Sequence, residues 1–324
     1  MKQLGKDILS AVLMGVAVPW MVLNLTVALW NRSVPEHDQE RPPGSEAITG
    51  VSLPVLVRDD AGNVEQQELD AYLVGVVLAE MPASFEEEAL KAQSVVARTY
   101  ARKAYESGGK HGDGSVCIQA SCCQAYISEE AYLSRGGTEA AVERIRNAVN
   151  ATSGQVLLYE GSLIEATYFS CSGGRTEDAQ AVWGTDFPYL QAVSSPGEEK
   201  AAYYRDTAVF TPEALEAALQ VTLTGAAESW TGPVSYTEGG GVDQITIGGE
   251  TFTGVQLRSL LGLRSTAFEI SAQPDAITFI TSGYGHRVGM SQYGADAMAV
   301  AGSTYREILA HYYQGAELCR IQET

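Results

Sequence analysis

Residues 70–103 have the sequence DAYLVGVVLAEMPASFEEEALKAQSVVARTYARK, which contains the most informative pattern in the chain. Apolar residues recur at helical spacing on both sides of Met81-Pro82, and a proline disfavours the helical conformation of the residue before it. Two helices are therefore predicted to meet at this break. The first is mostly apolar and is expected to be buried, and the second is expected to begin after a capping hydroxyl at Ser84.

The first of these helices ends on a single acid, Glu80, which is a candidate general acid. Burial penalises the charged form of a carboxyl group, so its pKa rises and it keeps a proton to donate. An ordinary surface glutamate at a helix end would have the same local sequence, and the residues alone favour that simpler interpretation. On the second helix, Gln93 and Arg98 alternate with an apolar stripe and are expected to project from it.

The composition is that of a globular protein with a large acidic excess. The 324 residues include 45% hydrophobic residues, 33 glycines and 11 prolines, which is enough apolar material for a full core. The 21 basic and 40 acidic residues give a net charge of −19. We expect no nucleic-acid partner, because binding to a phosphate backbone depends on lysine and arginine. The overall charge suits a neutral or cationic substrate better than a polyanion.

Residues 8–30 are almost wholly apolar and are long enough to cross a bilayer, which takes about 20 residues. Lys2 and Lys6 precede this segment and favour a cytoplasmic N terminus. A cleaved signal peptide is the alternative, but ALWNRS offers no small-x-small cleavage site. The predicted organisation is a cytoplasmic tip and transmembrane anchor at 1–30, a polar stalk at 31–50 and an extracytoplasmic domain at 51–320.

The rest of the pattern predicts an α+β fold of mixed helices and antiparallel hairpins. One hairpin turns at 159–162, with a second strand at 163–169, and another turns at Gly248-Gly249. A short helix is predicted at 253–261 and a strand at 276–280. We therefore expect a membrane-anchored ectodomain, built as one unit or as two subdomains that flank a cleft.

A histidine and three cysteines cluster in the glycine-rich stretch HGDGSVCIQASCCQAY. One imidazole and three thiolates match the four ligands of a closed, structural zinc site. Disulfides are the alternative in an oxidising compartment, although a bridge between adjacent cysteines is strained and five cysteines leave an odd thiol. The predicted ligands are His111, Cys117, Cys122 and Cys123.

Two glycine-rich loops carry polar side chains that suit ligand binding. FSCSGGRTE follows a predicted strand, and SGYGHRVGMSQYG leads into a helix at about Gln292. Loops of this kind expose hydroxyls and backbone amides, although the same compositions are common in plain turns and cores.

Four stretches together resemble the stage II sporulation protein D family of lytic transglycosylases. They are VLAEMP with ALKAQSVVARTYA, FSCSGGRTE, FTGVQLRSLLGLRS, and GHRVGMSQYGADAMA with ILAHYYQG. The resemblance implies a membrane-anchored enzyme that acts on peptidoglycan at the septal and engulfing membranes of a sporulating cell. It also implies a partner amidase that first strips the stem peptides from the glycan strands, and a membrane scaffold of the engulfment machinery.

The same resemblance implies roles for individual residues. The catalytic glutamate of the family's EMP motif falls on Glu80, which would form 1,6-anhydro ends by cutting bonds between N-acetylmuramic acid and N-acetylglucosamine. Some members have a zinc loop with histidine where Cys122 stands, so a structural Zn²⁺ is expected here. The candidate substrate-binding residues are Gln93, Arg98, Ser170, Ser172, Thr176, Tyr189, His286, Ser291 and Gln292.

One departure from the family pattern and two alternative functions remain open. Arg287 stands where the family usually has a glycine, so its side chain either reaches into the cleft or forces a change of backbone. The alternatives to the transglycosylase are a zinc-dependent cell-wall hydrolase and a non-catalytic glycan-binding scaffold.

Overall fold

A computed structural model describes residues 53–321 of the chain. The predicted membrane span and stalk lie outside these residues. In the described part, no helix has both the length and the apolar character needed to cross a membrane. The elements mix short helices with mainly antiparallel sheets, which confirms the predicted α+β class.

The helices are α1 (Leu69–Glu80), α2 (Glu87–Ser107), α3 (Glu129–Ser134), α4 (Glu139–Ala151), α5 (Ala179–Trp183), α6 (Pro212–Leu219), α7 (Gly254–Leu261), α8 (Gln292–Val300) and α9 (Tyr305–Tyr312). The strands are β1 (Pro54–Arg58), β2 (Val64–Glu68), β3 (Ser115–Cys117), β4 (Gln155–Tyr159), β5 (Ser162–Leu163), β6 (Tyr168–Phe169), β7 (Gly174–Arg175), β8 (Ser194–Ser195), β9 (Arg205–Phe210), β10 (Thr231–Tyr236), β11 (Val242–Ile247), β12 (Glu250–Thr253), β13 (Phe268–Gln273), β14 (Ala276–Ser282), β15 (Met290–Ser291) and β16 (Glu317–Arg320).

Helix α1 ends at the predicted break. Met81, which precedes Pro82, has an extended backbone with φ −126° and ψ 140°, and the helix cannot continue through it. At the other end, the side chain of Glu68 accepts the N–H of Ala71 at 2.6 Å and caps the helix. Residues 72–78 are all buried, as expected for a helix that is apolar on every side.

The predicted cap of α2 at Ser84 is wrong. The N–H of Phe85 bonds to the carbonyl of Pro82 at 3.0 Å in a turn, and the helix starts only after Glu86. The carboxylate of Asp296, at the far end of the chain, accepts the N–H of Glu86 at 2.7 Å. A tertiary contact therefore satisfies a donor that a local cap would otherwise take.

The described residues 53–321 form one compact unit that contains two hydrophobic cores. The first packs α1 and α2 against α4 and α9, and its centre includes Leu73, Val95, Ile145 and Leu309. The second core is built by an intervening segment, which runs from β9 to β14. After β14 the chain returns to the first core. The loop that carries His286 is therefore the connection between the last strand of the second core and the first core.

The predicted hairpins are only partly confirmed. Strands β11 and β12 form the expected antiparallel pair, with Ile247 opposite Glu250. The hairpin predicted to turn at 159–162 is also confirmed, because β4 and β5 pair antiparallel with Tyr159 opposite Ser162. The strand predicted at 163–169 is confirmed only at its two ends, because it is interrupted between β5 and β6. Strand β6 instead pairs in parallel with β15, which places the FSCSGG and GHRVGMSQ loops side by side. This pairing joins segments that are far apart in sequence, so local patterns do not reveal it.

Candidate active site

Glu80 is partly buried and faces hydrogen-bond donors from three distant segments. Its Oε1 accepts the backbone N–H of Ala125 at 2.7 Å and lies 3.3 Å from the hydroxyl of Tyr168. Its Oε2 lies 3.5 Å from Nε2 of Gln292. No ion pair found among residues 53–321 involves Glu80. The carboxyl group therefore has one short hydrogen bond, two long ones and no counter-charge.

These surroundings make Glu80 a better proton donor than a surface glutamate. Burial raises the pKa of Glu80, and the hydrogen bonds from Ala125, Gln292 and Tyr168 only partly oppose that rise. A raised pKa increases the protonated fraction near neutral pH, which is what a general acid requires. The structure thus removes the simpler interpretation of Glu80 as an exposed residue at a helix end.

A close approach between α1 and the segment after the cysteines brings the first donor into place. Gly75 has no side chain, and a Cβ there would lie 2.3 Å from the ring of Tyr126. The ring of Tyr126 stacks on Tyr72 at 5.5 Å between centroids, and the N–H of Ile127 bonds to the carbonyl of Gly75 at 3.2 Å. The segment is thereby packed against α1, and its Ala125 N–H reaches Glu80.

A second layer of hydrogen bonds holds Tyr168. Gln124 is fully buried, and its Nε2 donates to the Tyr168 hydroxyl at 3.2 Å and to the carbonyl of Ala97 at 3.4 Å. The hydroxyl in turn donates to Glu80. Sequence analysis missed Gln124, Ala125 and Tyr168. Their sequence signal is positional only, since Gln124 directly follows the cysteine pair and Tyr168 directly precedes FSCSGG.

The four predicted metal ligands lie together in the structure. The ligand atoms of His111, Cys117, Cys122 and Cys123 are all within 4.8 Å of one another. His111 Nε2 lies 3.8 Å from Cys122 Sγ and 3.6 Å from Cys123 Sγ, and the two sulfurs are 3.8 Å apart. A tetrahedral site with Zn–S bonds of about 2.3 Å separates its ligand atoms by about 3.8 Å. The donor set therefore fits zinc, and no disulfide links these cysteines in the described residues.

The metal-ligand cluster and Glu80 are joined by two residues of chain. Cys123 is followed by Gln124, which holds Tyr168, and then by Ala125, which donates to Glu80. Both contacts to Glu80 Oε1 are therefore linked by a short stretch of chain to the cysteine pair, since Ala125 donates to it directly and Gln124 holds Tyr168.

Of the predicted substrate-binding residues, Gln292 contacts Glu80 directly. It is the first residue of α8, and Ser291 caps that helix by accepting the N–H of Gly294 at 3.2 Å. Ser170 is partly buried beside them, and its carbonyl accepts the N–H of Tyr293 at 3.0 Å. The start of α8 thus brings the two polar loops to the acid.

His286 is partly buried near the same loops. Its Nδ1 accepts the N–H of Val288 at 3.1 Å, and its ring centroid lies 5.6 Å from that of Phe169 and 5.4 Å from that of Trp183. Burial, reinforced by the positive charge of Arg258, lowers the pKa of His286 to about 4. The imidazole is therefore neutral at neutral pH and offers hydrogen bonding and ring contact, not charge.

Other predicted substrate-binding residues lie in the interior. The buried members are Gln93, Arg98, Ser172, Thr176, Tyr189 and Ser291. Arg98 pairs with Asp70 at 2.9 Å, and the hydroxyl of Thr176 accepts the N–H of Val193 at 2.8 Å. The expectation that Gln93 and Arg98 project from α2 is wrong, because both have 0% exposure. These side chains therefore lie in the interior around the site, and among the described residues the amide of Gln93 has no hydrogen-bond partner there.

Arg287 does not reach into an open cleft. Its φ of 66° is in the left-handed region that favours glycine, yet the side chain is buried and fully used. Nη1 lies 3.1 Å from Glu177 Oε1, and Nη2 donates to the carbonyls of Arg175 at 2.7 Å and Gly239 at 2.9 Å. Arg287 therefore fastens the FSCSGGRTE loop to the turn at residue 239 of the second core.

Comparison with known proteins places this site in a family. The family model described as stage II sporulation protein matches residues 58–159. The chain is 40% identical to stage II sporulation protein D of Bacillus subtilis (strain 168) over 282 residues, which cover 85% of this chain and 81% of that protein. It is 39% identical to stage II sporulation protein D of Bacillus amyloliquefaciens over 273 residues, or 83% of this chain and 78% of that protein.

These matches establish family membership, and a third relative adds to them. An amidase enhancer of Bacillus subtilis (strain 168) is also similar, at 29% identity over 76% of this chain and 40% of that protein. Identity near 40% over most of both sequences leaves no doubt about common ancestry. The chain belongs to the stage II sporulation protein D family.

Proposed function

We propose that this protein is a peptidoglycan lytic transglycosylase (a lyase) that acts in sporulation. The observation that carries the proposal is the placement of Glu80, a partly buried carboxyl group with a raised pKa, a short hydrogen bond from Ala125 and no counter-charge. The substrate is the bond between N-acetylmuramic acid and N-acetylglucosamine in glycan strands from which stem peptides have been removed.

One carboxyl group is enough for this reaction. Protonated Glu80 donates its proton to the bridging oxygen while the bond from that oxygen to C1 of N-acetylmuramic acid breaks. The resulting Glu80 carboxylate then takes the proton from the C6 hydroxyl of the same sugar as its oxygen bonds to C1. The product is a 1,6-anhydro end, no water is consumed, and Glu80 returns to its starting state. Proton transfer of this kind contributes about 10²–10⁴-fold to the rate.

The hydrogen-bond partners of Glu80 suit both halves of this cycle. The Ala125 N–H stabilises the carboxylate formed after the first proton transfer, and the longer contacts from Tyr168 and Gln292 adjust with it. Because no cation in the described part of the chain pairs with Glu80, the carboxylate remains basic enough to recover its proton. The use of a single carboxyl group as both acid and base differs from ordinary glycoside hydrolysis, which uses two carboxyl groups.

We also propose that His111, Cys117, Cys122 and Cys123 hold a structural Zn²⁺. The donor set and its spacing support this ion, and four protein ligands leave no open position for a reacting water. When bound, the ion would lock the ligand loop and so keep Gln124 and Ala125 in place. The closed ligand set gives no support to the alternative of a zinc-dependent cell-wall hydrolase.

The cellular setting is part of the proposal. Residues 1–30 would anchor the protein in the membrane, with the catalytic domain on the extracytoplasmic side at the septal and engulfing membranes. The names of the relatives, two stage II sporulation proteins and an amidase enhancer, support a cell-wall role in sporulation alongside an amidase. A membrane scaffold of the engulfment machinery is the further partner that we propose.

Product analysis tests the proposed reaction. Glycan strands freed of stem peptides are incubated with the wild-type protein and with Glu80→Gln, and the ends are identified by mass spectrometry. We expect anhydromuramyl ends from the wild type and a rate at least about a hundredfold lower from Glu80→Gln. Glu106→Gln, a surface change on α2, is the matched control and should leave the rate unchanged.

Two results would contradict the reaction. Reducing ends in place of anhydro ends would indicate hydrolysis, and a normal rate from folded Glu80→Gln protein would reject Glu80 as the acid. Binding of the strands without any cleavage by the wild type would favour the non-catalytic scaffold.

A further inference from the structure

A second concave site lies beside the loop that carries His286, and Glu80 is not among its lining residues. It is a pocket of about 430 Å³ whose polar walls are Arg258, Arg264 and Tyr284. The remaining lining residues are Val255, Ser259, Gly262 and Leu263. A pocket of this size with apolar walls and a few polar groups is typical of small-ligand or sugar-unit binding sites.

Arg258, on α7, is a partly buried cation without an acid. Its Nε donates to the carbonyl of Arg264 at 3.3 Å. In the described part of the chain, neither of its terminal nitrogens has a protein acceptor, and no carboxylate forms an ion pair with it. Burial lowers the pKa of Arg258, and Tyr284 only partly opposes that fall. An anionic ligand would supply the missing partner.

Arg264 provides a second, rigid wall of the pocket. Its Nε donates to Asp206 Oδ2 at 3.0 Å. Its guanidinium lies 4.2 Å from the ring centroid of Tyr203 and 5.3 Å from that of Tyr284. The guanidinium of Arg264 and the rings of Tyr203 and Tyr284 therefore form one cluster beside Arg258. A guanidinium fork matches the two oxygens of a carboxylate, and an aromatic face suits the apolar face of a sugar.

The pocket is close to the Glu80 site along one extended segment. Tyr168, which contacts Glu80, and Cys171 are three residues apart, so their Cα atoms are separated by at most about 11 Å. Cys171 is bridged to Tyr284 of the pocket, because the Tyr284 N–H donates to the Cys171 carbonyl at 2.7 Å. A short stretch of backbone therefore connects the two sites.

We propose that Arg258, with Arg264 beside it, binds the lactyl carboxylate of an N-acetylmuramic acid unit in the glycan strand. The inference rests on the proposed function and names the feature of the substrate that the protein selects. While a stem peptide is attached, the lactyl group is a neutral amide. Its removal by an amidase leaves a carboxylate with one negative charge and two acceptor oxygens, which Arg258 can pair with. A chain of net charge −19 thereby accepts an anionic polymer at one local site.

The test changes the ligand first and the protein second. Full-length Glu80→Gln protein is titrated with fluorescent peptide-free strands and with the same strands after their lactyl carboxylates have been converted to carboxamides. We expect the carboxamide strands to bind roughly tenfold to a hundredfold more weakly. Adding Arg258→Gln should remove this difference, whereas Arg258→Lys should keep part of it. Arg306→Gln, an exposed cation on α9, is the matched control and should leave the difference intact.

The ligand comparison needs no variant that might fail to fold. Equal binding of the carboxylate and carboxamide strands overturns the inference, as does a difference that persists in Arg258→Gln. Competition by inorganic phosphate at concentrations where free N-acetylmuramic acid has no effect also overturns it, in favour of a phosphate site.

The same strands separate this inference from the proposed reaction. Selective binding of carboxylate strands by a protein that forms no anhydro ends rejects the reaction and keeps the subsite. Anhydro ends formed at equal rates from both kinds of strand reject the subsite and keep the reaction.

Discussion

Glu80 is partly buried and Glu198 is fully buried, and the two carboxyl groups differ in how completely they are hydrogen-bonded. Glu198 has 0% exposure and accepts the N–H groups of Ser172 at 2.6 Å and Gly173 at 3.0 Å. It also accepts the hydroxyl of Ser195 at 2.6 Å, which in turn contacts the hydroxyl of Tyr312. Glu80 has only one hydrogen bond of comparable length.

The difference shows how the fold separates a structural acid from a candidate proton donor. Glu198 is saturated with donors, so its carboxyl group holds the FSCSGG loop in place. Glu177 is held in another way: its Oε1 lies 3.1 Å from the cation of Arg287 and accepts the N–H of Gly241 at 2.7 Å, while its Oε2 has no hydrogen-bond partner among the described residues. Glu80 is only partly buried and pairs with no cation among residues 53–321, so burial is the main cause of its raised pKa. The cation at Glu177 and the short hydrogen bonds at Glu198 distinguish these two carboxyl groups from Glu80.

The largest expected effect is on the structural side of this comparison. Arg287→Met leaves Glu177 buried without its cation, and we expect the free energy of unfolding to fall by about 3–5 kcal/mol. Urea denaturation followed by circular dichroism measures this change.

An exposed ion pair provides the control for that variant. Arg205 and Glu269 are 3.5 Å apart with side chains that are 59% and 75% exposed, so Arg205→Met should cost less than about 1 kcal/mol. Equal losses of unfolding free energy in the two variants would show that burial does not increase the contribution of the Arg287–Glu177 pair to stability.

The next effect concerns the loop that supplies donors to Glu80. Cys123→Ser should lower the zinc content of the purified protein and reduce anhydro-end formation roughly tenfold or more, because Ala125 and Gln124 lose their support. Elemental analysis and product assays measure the two effects. Cys319→Ser, outside the ligand cluster, should change neither. Full activity in a zinc-free protein would break the proposed link between the ligand loop and the acid.

The protonation of Glu80 predicts a pH dependence of the rate. Because the acid must start protonated and its pKa is raised above the ordinary 4.5, activity should extend above pH 4.5 and fall as the pH rises through the raised pKa. Burial raises the pKa of Tyr168, so this neighbour stays protonated across the same range. A rate measured from pH 4 to 9 that stays level would oppose the assignment.

Stability gives an independent check on the same shift. A carboxyl group with a raised pKa in the folded state contributes stability below its unfolded pKa, and this contribution is lost as the pH rises through the folded pKa. Gln cannot ionise, so the Glu80→Gln variant does not lose stability in this way as the pH rises. Its free energy of unfolding relative to the wild type should therefore increase from pH 4 to pH 7. A constant difference in urea midpoints would contradict the raised pKa.

The smallest expected effect comes from the hydroxyl of Tyr168. Tyr168→Phe removes the 3.3 Å contact to Glu80, a hydrogen bond worth about 0.5–1.5 kcal/mol, so the rate should change by less than about tenfold. Because this contact lowers the pKa of Glu80, the fall in rate at high pH should move to higher pH. Tyr305→Phe, which removes a hydroxyl bonded to Gln155, is the control for loss of a phenol elsewhere. A shift to lower pH in Tyr168→Phe would contradict the arrangement.

Local sequence was sufficient wherever short-range chemistry decides the structure. The Met81-Pro82 break ended α1, Thr211 and Pro212 began α6, and the glycine pair at 248 and 249 turned a hairpin. The cluster of His111 with three cysteines was also predicted, because its ligands lie within 13 residues of one another in sequence.

Sequence reasoning failed where a distant segment supplied the partner. Arg98 was expected to project from α2 as a substrate-binding candidate, but Asp70 and the carbonyl of Val149 make its burial possible. Asp296, and not Ser84, accepts a free N–H at the start of α2. In both cases a polar group finds its partner only after the chain has folded, so the local sequence does not show that partner.

The sequence by itself determined the helix pair, the cluster of His111 with three cysteines and the family, and it singled out Glu80 as the candidate acid. Only the tertiary structure decided that Glu80 is partly buried with no cation beside it among residues 53–321, that Ala125 and Tyr168 bind it, and that Arg287 is structural. The physical reason is that a pKa depends on the solvent, donors and charges within a few ångströms. For Glu80 these neighbours come from positions 125, 168 and 292, which no local pattern connects.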